Sequence, residues 1–285
     1  MKDVVKLSRK WTSILRSRVW FLLPSVIGVF VFALIPFADM LIRSFSNGAG
    51  NYQTVFENGA FHLAMMNTLR FAGVGIPILL ICSFLAAFGI YKSKWMRFLK
   101  SIYLLPMAVP AAALVLIWKA FFHEAGLFNQ LLTAFEIKEI DWLGSGAAFW
   151  VLVISYIWKN LGYTVALWIA GMMSVPESYA EAARVDGATE RQCLFYIVMP
   201  QLRPVFYTIT MLSFLNSFKV FREAYLVAGS YPQKSMYLLQ HLFNNWFTNL
   251  EIDKMAAAGI LMAVFFAGCS IALEKLWQWE EGDGE

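Results

Sequence analysis

Apolar runs close to helix-spanning length recur along this 285-residue chain, and no other feature restricts the fold as tightly. A helix crosses the roughly 30 Å hydrocarbon layer of a bilayer in about 20 residues, and lipid offers no hydrogen bonds to an open backbone. Only helices or a closed barrel meet that demand, and these runs lack the alternation of barrel strands. Six spans are expected: Trp20 to Ile42, Leu69 to Tyr91, Leu104 to Phe122, Phe149 to Met173, Val205 to Val227 and Met255 to Leu276. Composition agrees, since 59% of the residues are hydrophobic and 15% charged, against about 25% charged in a soluble domain. The chain therefore reads as all-α, a polytopic membrane protein with six transmembrane helices. Pro24, Pro36, Pro77, Pro106 and Pro110 fall in or beside the spans and predict kinks rather than helix ends. The first span follows basic residues as a signal peptide would, but it is too long for one and lacks a small-x-small cleavage site, so it is expected to stay as an anchor.

Lys and Arg mark the cytoplasmic connections of membrane proteins. Lys2, Lys6, Arg9, Lys10, Arg16 and Arg18 precede the first span, and Lys92, Lys94, Arg97 and Lys100 follow the second. Both stretches belong in the cytoplasm on this rule, which puts both termini there and makes the fourth connection, Ser174 to Pro204, cytoplasmic as well. The third connection carries Glu124, Glu136, Glu139 and Asp141 against Lys138, as an external segment would. Trp20, Trp95, Trp118, Trp142, Trp277 and Trp279 fall near span ends, where an amphipathic ring fits the interface. The segments are then 1–19, a cytoplasmic N-terminal stretch; 20–42, the first transmembrane helix; and 277–285, an acidic cytoplasmic tail.

Several classes are excluded. The net charge of +4 comes from clusters beside the spans, the pattern of topology signals and not of a nucleic-acid surface. Cys82, Cys193 and Cys269 are isolated and suggest neither disulfide nor metal site. No Ser/His, paired-Asp or His-Glu-x-x-His arrangement lies in a span, so no catalytic residue is assigned and an enzyme is not expected. A self-sufficient secondary transporter would be expected to carry an inverted repeat, and none is detectable.

The fourth connection is patterned more closely than a linker needs to be. Pro176 suits a helix's first turn, Glu177 to Val185 are largely helix formers, and Asp186-Gly187 supplies a stop that tolerates positive φ. Thr189 offers an N-cap to a second helix, and Pro200 and Pro204 mark the return to the bilayer. Pattern alone leaves two readings open, a docking element and an interfacial helix with no partner.

Glu181-Ala182-Ala183, Asp186-Gly187-Ala188, Ile197, Pro200 and Pro204 resemble the EAA signature of bacterial ABC-importer permeases. Leu104 to Pro110, Trp118 to Phe122, Gly126 to Asn129 and Phe214 to Phe221 resemble the carbohydrate branch, the permeases of maltose, lactose and glycerol-phosphate importers, and in particular the first of two unlike permeases. The resemblance implies the type I, MetI-like importer fold over 65–276, in the cytoplasmic membrane, with 174–204 as the coupling loop. Glu181, Ala182, Ala183, Asp186, Gly187 and Ala188 would meet a separate ATPase dimer, which would hold ATP and Mg; this chain has no Gly-x-x-x-x-Gly-Lys-Ser/Thr and would bind no cofactor itself. A second homologous permease, an extracellular or periplasmic solute-binding protein and membrane lipid are the implied partners. The implied cargo is a mono- or oligosaccharide, with glycerol phosphate or a polyamine as the alternative. Unlike the maltose-importer subunit, this chain has no extra N-terminal helices or large external insertion, and Gly229-Ser230-Tyr231-Pro232 replaces a Gly-Gly-Pro.

Polar groups inside spans are expensive and face a cavity or a partner. Lys159 and Asn160 interrupt the fourth span. Trp158, Leu161 and Gly162 align with the family's substrate-lining stretch, and Ser213, Asn216 and Ser217, at i, i+3 and i+4 on the fifth span, align with a stretch that meets solute hydroxyls. Such hydroxyls and amides also serve as glue between helices, and that reading stands beside the first. Arg222 and Glu223 are expected in an ion pair, with each other or across subunits, in a structural or gating role.

Overall fold

A computed structural model describes residues 22–92, 106 and 109–282, and every regular element among them is helical. Outside the described residues lie the N-terminal segment 1–19, the starts of the first and third spans, the basic cluster Lys94 to Lys100, most of the Leu104 to Pro110 string and the tip of the acidic tail. The chain forms two compact units: one joins residues up to Asn58 to Trp246–Cys269, and the other joins Gly59–Asn245 to residues from Ser270.

In the first unit, α1 (Leu22–Ser44) is apolar on all sides and leads to the short α2 (Gly50–Glu57). Asn51 ties the turn between them, its Nδ2 donating to the carbonyls of Arg43 and Ser44 and to the hydroxyl of Ser46. The long α12 (Ile252–Gly282) begins beside this turn, where Ser46 donates to Asp253 at 2.8 Å. Gly259 of α12 sits against α1 so closely that a Cβ there would lie 2.9 Å from the Met40 sulfur.

The second unit is organised around α3 (Gly59–Lys92) and α6 (Ala148–Ser174). Between them come α4 (Ala111–Phe122) and α5 (Leu127–Ala134). α7 (Glu177–Val185) and α8 (190–201) form the connection after α6. α9 (Arg203–Ser217), a single 3₁₀ turn at Phe218–Val220 and α10 (Phe221–Ala228) follow, and α11 (Leu239–Thr248) closes the series. Phe71 of α3 meets Tyr156 of α6 edge-on at 5.3 Å, and farther along the pair Trp168 donates its indole N–H to Ser83. Around these contacts Leu79, Leu114, Leu152 and Ala224 form one buried cluster, and Ile90, Val165, Met172 and Ile209 another.

Three described helices are long and apolar enough to cross a membrane: Leu22–Ser44, Gly59–Tyr91 and Ile252–Lys275. The second starts ten residues before the expected Leu69, because the stretch from Gly59 continues the helix, and near its end Asn67 donates to the carbonyls of Lys234 and Tyr237. The expected fifth span is not one helix but two, joined by the 3₁₀ turn. The prolines also divide. Pro36 and Pro200 each follow a π-helical segment, Phe30–Leu34 and Cys193–Val198, since a proline cannot donate to the carbonyl four residues back and the preceding turn widens to i→i+5 bonds. Pro110, expected as a kink, instead starts α4 from an extended conformation, ψ 142°.

Candidate functional site

The sequence places its candidate residues in two regions, the α7–α8 connection and the middle of α6 with the broken fifth segment. The connection is built from local rules. Pro176 is the N-cap of α7, one residue before the helix, with ψ at 128°. At the other end Gly187 has φ +87°; its N–H donates to the Arg184 carbonyl, and the Ala188 N–H reaches back to Ala183. Those two bonds and that left-handed residue make a Schellman stop, which satisfies carbonyls that the helix end would leave open. Thr189 then starts α8 with a capping box: its hydroxyl accepts from the Gln192 N–H while the Gln192 side chain accepts from the Thr189 N–H at 2.8 Å. Arg184 bridges to Glu190 at 2.9 Å across the turn.

No residue of α7 is buried. Glu181, Ala182, Asp186 and Gly187 are exposed, Ala183 and Ala188 half-buried, and the apolar side chains Tyr179, Val185 and Tyr196 face outward, Val185 with 87% of its surface free. The helix thus presents small residues and unburied apolar groups on the surface.

The second region centres on a cavity of about 70 Å³ lined by Ser155, Tyr156, Lys159, Asn160, Asn216, Lys219, Val220 and Glu223. Lys159 of α6 forms an ion pair with Glu223 of α10. The carboxylate side chain is only 4% exposed and the ammonium side chain 34%, so the pair is sealed on one side and open on the other. The expected pairing of Glu223 with Arg222 is not made: adjacent helical residues diverge by about 100°, and Glu223 turns into the fold while Arg222 stays exposed.

The three polar residues of α9 do not share one environment. Asn216 lines the cavity and donates to the Tyr163 hydroxyl at 2.9 Å. Ser213 is fully buried; its hydroxyl oxygen has no protein partner and its carbonyl accepts from the Tyr156 hydroxyl at 2.7 Å. Ser217 is also buried and donates to its own helix at Phe214. All three lie in the one helix, at i, i+3 and i+4, and the 3₁₀ turn begins only after Ser217. On α6, Gly162 is buried and Leu161 half-buried between the two apolar clusters. Trp158, half-buried, packs edge-on against Trp118 at 5.6 Å and joins an aromatic group with Phe122, Phe128 and Trp142. Trp118 and Trp142 are thus packing residues as well as markers of a span end. Asn129 fixes this group by donating to the Glu124 and Ile140 carbonyls and accepting from the Trp142 indole.

Tyr156, Tyr163 and Asn129 were not singled out by sequence reasoning. The spacing Tyr156, Lys159, Tyr163 puts three polar tips on one face of an otherwise apolar helix, and that spacing is the signal that could have found the first two. A larger groove of about 410 Å³, lined by Phe84, Trp168, Phe195, Met199, Pro200, Leu202, Arg203 and Phe206, lies nearer α8 and is mostly apolar. The small cavity is lined mainly by polar side chains and the large groove mainly by apolar ones.

The family of binding-protein-dependent transport system inner membrane components matches residues 78–276, a stretch that takes in both regions. The probable starch degradation products transport system permease protein AmyD of Thermoanaerobacterium thermosulfurigenes is 25% identical over 286 residues, covering 93% of this chain and 96% of AmyD. The sn-glycerol-3-phosphate transport system permease protein UgpA of Escherichia coli is 28% identical over 221 residues, covering 75% of this chain and 74% of UgpA. Among solved structures, a chain of a bacterial alginate ABC transporter, crystallised in complex with an alginate pentasaccharide-bound periplasmic protein, matches in fold. Its TM-score is 0.80 at 20% identity, with 94% of this chain and 95% of that one covered.

Proposed function

Because the chain belongs to the family of binding-protein-dependent transport system inner membrane components, we propose that it is the permease subunit of an ATP-binding-cassette importer that carries a carbohydrate across the cytoplasmic membrane. It spans that membrane six times with both termini inside, and 65–276 forms the transport domain. A second, homologous permease completes the path, an ATPase dimer drives it and an external solute-binding protein delivers the cargo.

The α7–α8 connection carries this reading. Its exposed Glu181-Ala182-Ala183 face and the rigid stop at Gly187 suit a helix that seats in another protein and transmits motion. Glu181 supplies the charged contact, Ala182 and Ala183 admit a close backbone, and Asp186, Gly187 and Ala188 fix the angle of the turn. ATP and Mg sit in the partner. In the membrane, Trp158, Leu161, Gly162 and Asn216 define this chain's share of the solute path, while Ser213 and Ser217 support it from behind. Arg222 is free to pair across the subunit boundary.

Carbohydrate is favoured by the starch degradation products of AmyD and the alginate of the structural neighbour; UgpA keeps glycerol phosphate as the second reading. The test is to purify the complex with its binding protein, screen that protein's thermal shift against neutral sugars, acidic sugars and glycerol phosphate, and measure ATP-driven uptake into proteoliposomes. Uptake of a saccharide is expected. Uptake of glycerol phosphate alone would replace the first reading with the second, and uptake without ATP would overturn both.

A further inference from the structure

The fifth segment is interrupted at Phe218–Val220, and a break in a helix needs something outside the helix to fix the angle between its halves. One face of α6 supplies it. Tyr156 and Tyr163 hold α9 before the break, at the Ser213 carbonyl and the Asn216 side chain, and Lys159, on the same face between them, holds α10 beyond it through Glu223. These residues stand at i, i+3 and i+7, so a single rigid helix grips both halves. The tyrosine clamps both end before the break; among the polar contacts of this face, only the ion pair crosses it.

Charge makes that third clamp costly and therefore informative. A carboxylate that is 4% exposed loses most of its hydration, and a buried ion pair is weak as a source of stability. Apolar residues of similar size would pack there at no such cost. Asn216, at the end of α9, and Lys219, inside the 3₁₀ turn, line the same cavity as the pair.

We infer that the Lys159–Glu223 pair is a positioning brace: it fixes the break against α6 and so sets where Asn216 and Lys219 stand in the solute path. This rests on the transport reading above. The pair itself lines the cavity, and as a brace it acts through the two residues it places. Removing one charge strands the other in a buried site, so the single changes Lys159→Met and Glu223→Gln lower the amount of assembled complex. Removing both relieves that penalty.

The test uses the complete importer with its ATPase and binding protein in proteoliposomes, and reads solute moved per ATP hydrolysed. The double variant Lys159→Met/Glu223→Gln is expected to assemble in wild-type amount, yet to move at least tenfold less solute per ATP. Lys159→Arg, which keeps the charge, is expected to restore the ratio to within twofold of wild type. Wild-type solute per ATP in the double variant would overturn the inference. So would failure of the double variant to assemble, which would make the pair structural only, or a Lys159→Arg ratio as low as the double variant's. The transport reading fails separately, if the wild-type complex itself moves no saccharide.

Discussion

The α7–α8 connection and the cavity between α6 and the broken fifth segment are both assigned to transport, but they are held together in opposite ways. In the connection each stabilising bond joins residues a few positions apart: Gly187 to Arg184, Ala188 to Ala183, Thr189 to Gln192, Arg184 to Glu190. In the cavity the bonds join residues 53, 57 and 64 positions apart. The connection thus carries its own shape, whereas the cavity is defined by contacts between elements far apart in the chain.

The largest effect is expected at the one backbone position the connection cannot replace. Gly187→Pro removes an N–H that donates to Arg184 and forbids φ +87°, a cost of about 3 kcal/mol or more. The permease should remain in the membrane at normal level while solute-stimulated ATPase activity falls at least tenfold. Full stimulation in a purified Gly187→Pro complex would break the comparison on the connection's side. Next comes the aromatic group beside the cavity: Trp158→Ala opens a gap against Trp118 and is expected to cost about 2 kcal/mol at this half-buried position. Uptake should fall more than the amount of complex does, and equal losses would remove Trp158 from the solute path.

Acid separates the two regions at a smaller scale. His241 of α11 is fully buried, stacks near Tyr237 and meets Phe221 of α10 edge-on at 4.8 Å. Its Nδ1 accepts the Leu238 N–H, its Nε2 has no protein partner, and burial pushes its pKa down from 6.5 to about 4. The unfolded chain therefore takes up the proton first. This contribution is complete above about pH 6.5 and drains away as pH falls toward 4, with about 2 kcal/mol gone at pH 5. Thermal unfolding of His241→Phe should show a shallower loss between pH 7.5 and 5 than wild type, and parallel losses would show that His241 does not titrate there. The smallest effect belongs to Thr189→Ala, about 1 kcal/mol from the lost cap. It should lower stimulated ATPase activity less than twofold, and a tenfold loss would mean that the connection depends on more than its local bonds.

What the sequence made legible follows the same division. Pro176, Gly187 and Thr189 announce their roles because capping depends on neighbours in the chain, and the structure places all three at helix ends. The apolar runs likewise announce helices, because lipid allows little else. The partner of Glu223 was not legible: nothing local to residues 219–223 points to Lys159, and the adjacent Arg222 was the only charge of opposite sign that chain order offered besides Lys219. The break after Ser217 was not legible for a related reason. Periodicity extrapolates a continuous helix, and a 3₁₀ turn of three residues is too short to disturb the composition that would reveal it. Asn129 was quoted only as part of a family string, while its four-way bonding depends on Ile140 and Trp142, more than ten residues away.

The capping of the connection has a consequence for exchange between proteins. From Pro176 to Gln192 both helix ends that meet at the turn are satisfied within the segment, by the Schellman bonds on one side and the Thr189–Gln192 box on the other. A segment whose hydrogen bonds close on themselves is modular: it can be transplanted into another permease, or another's set in its place, without the surrounding spans having to complete it.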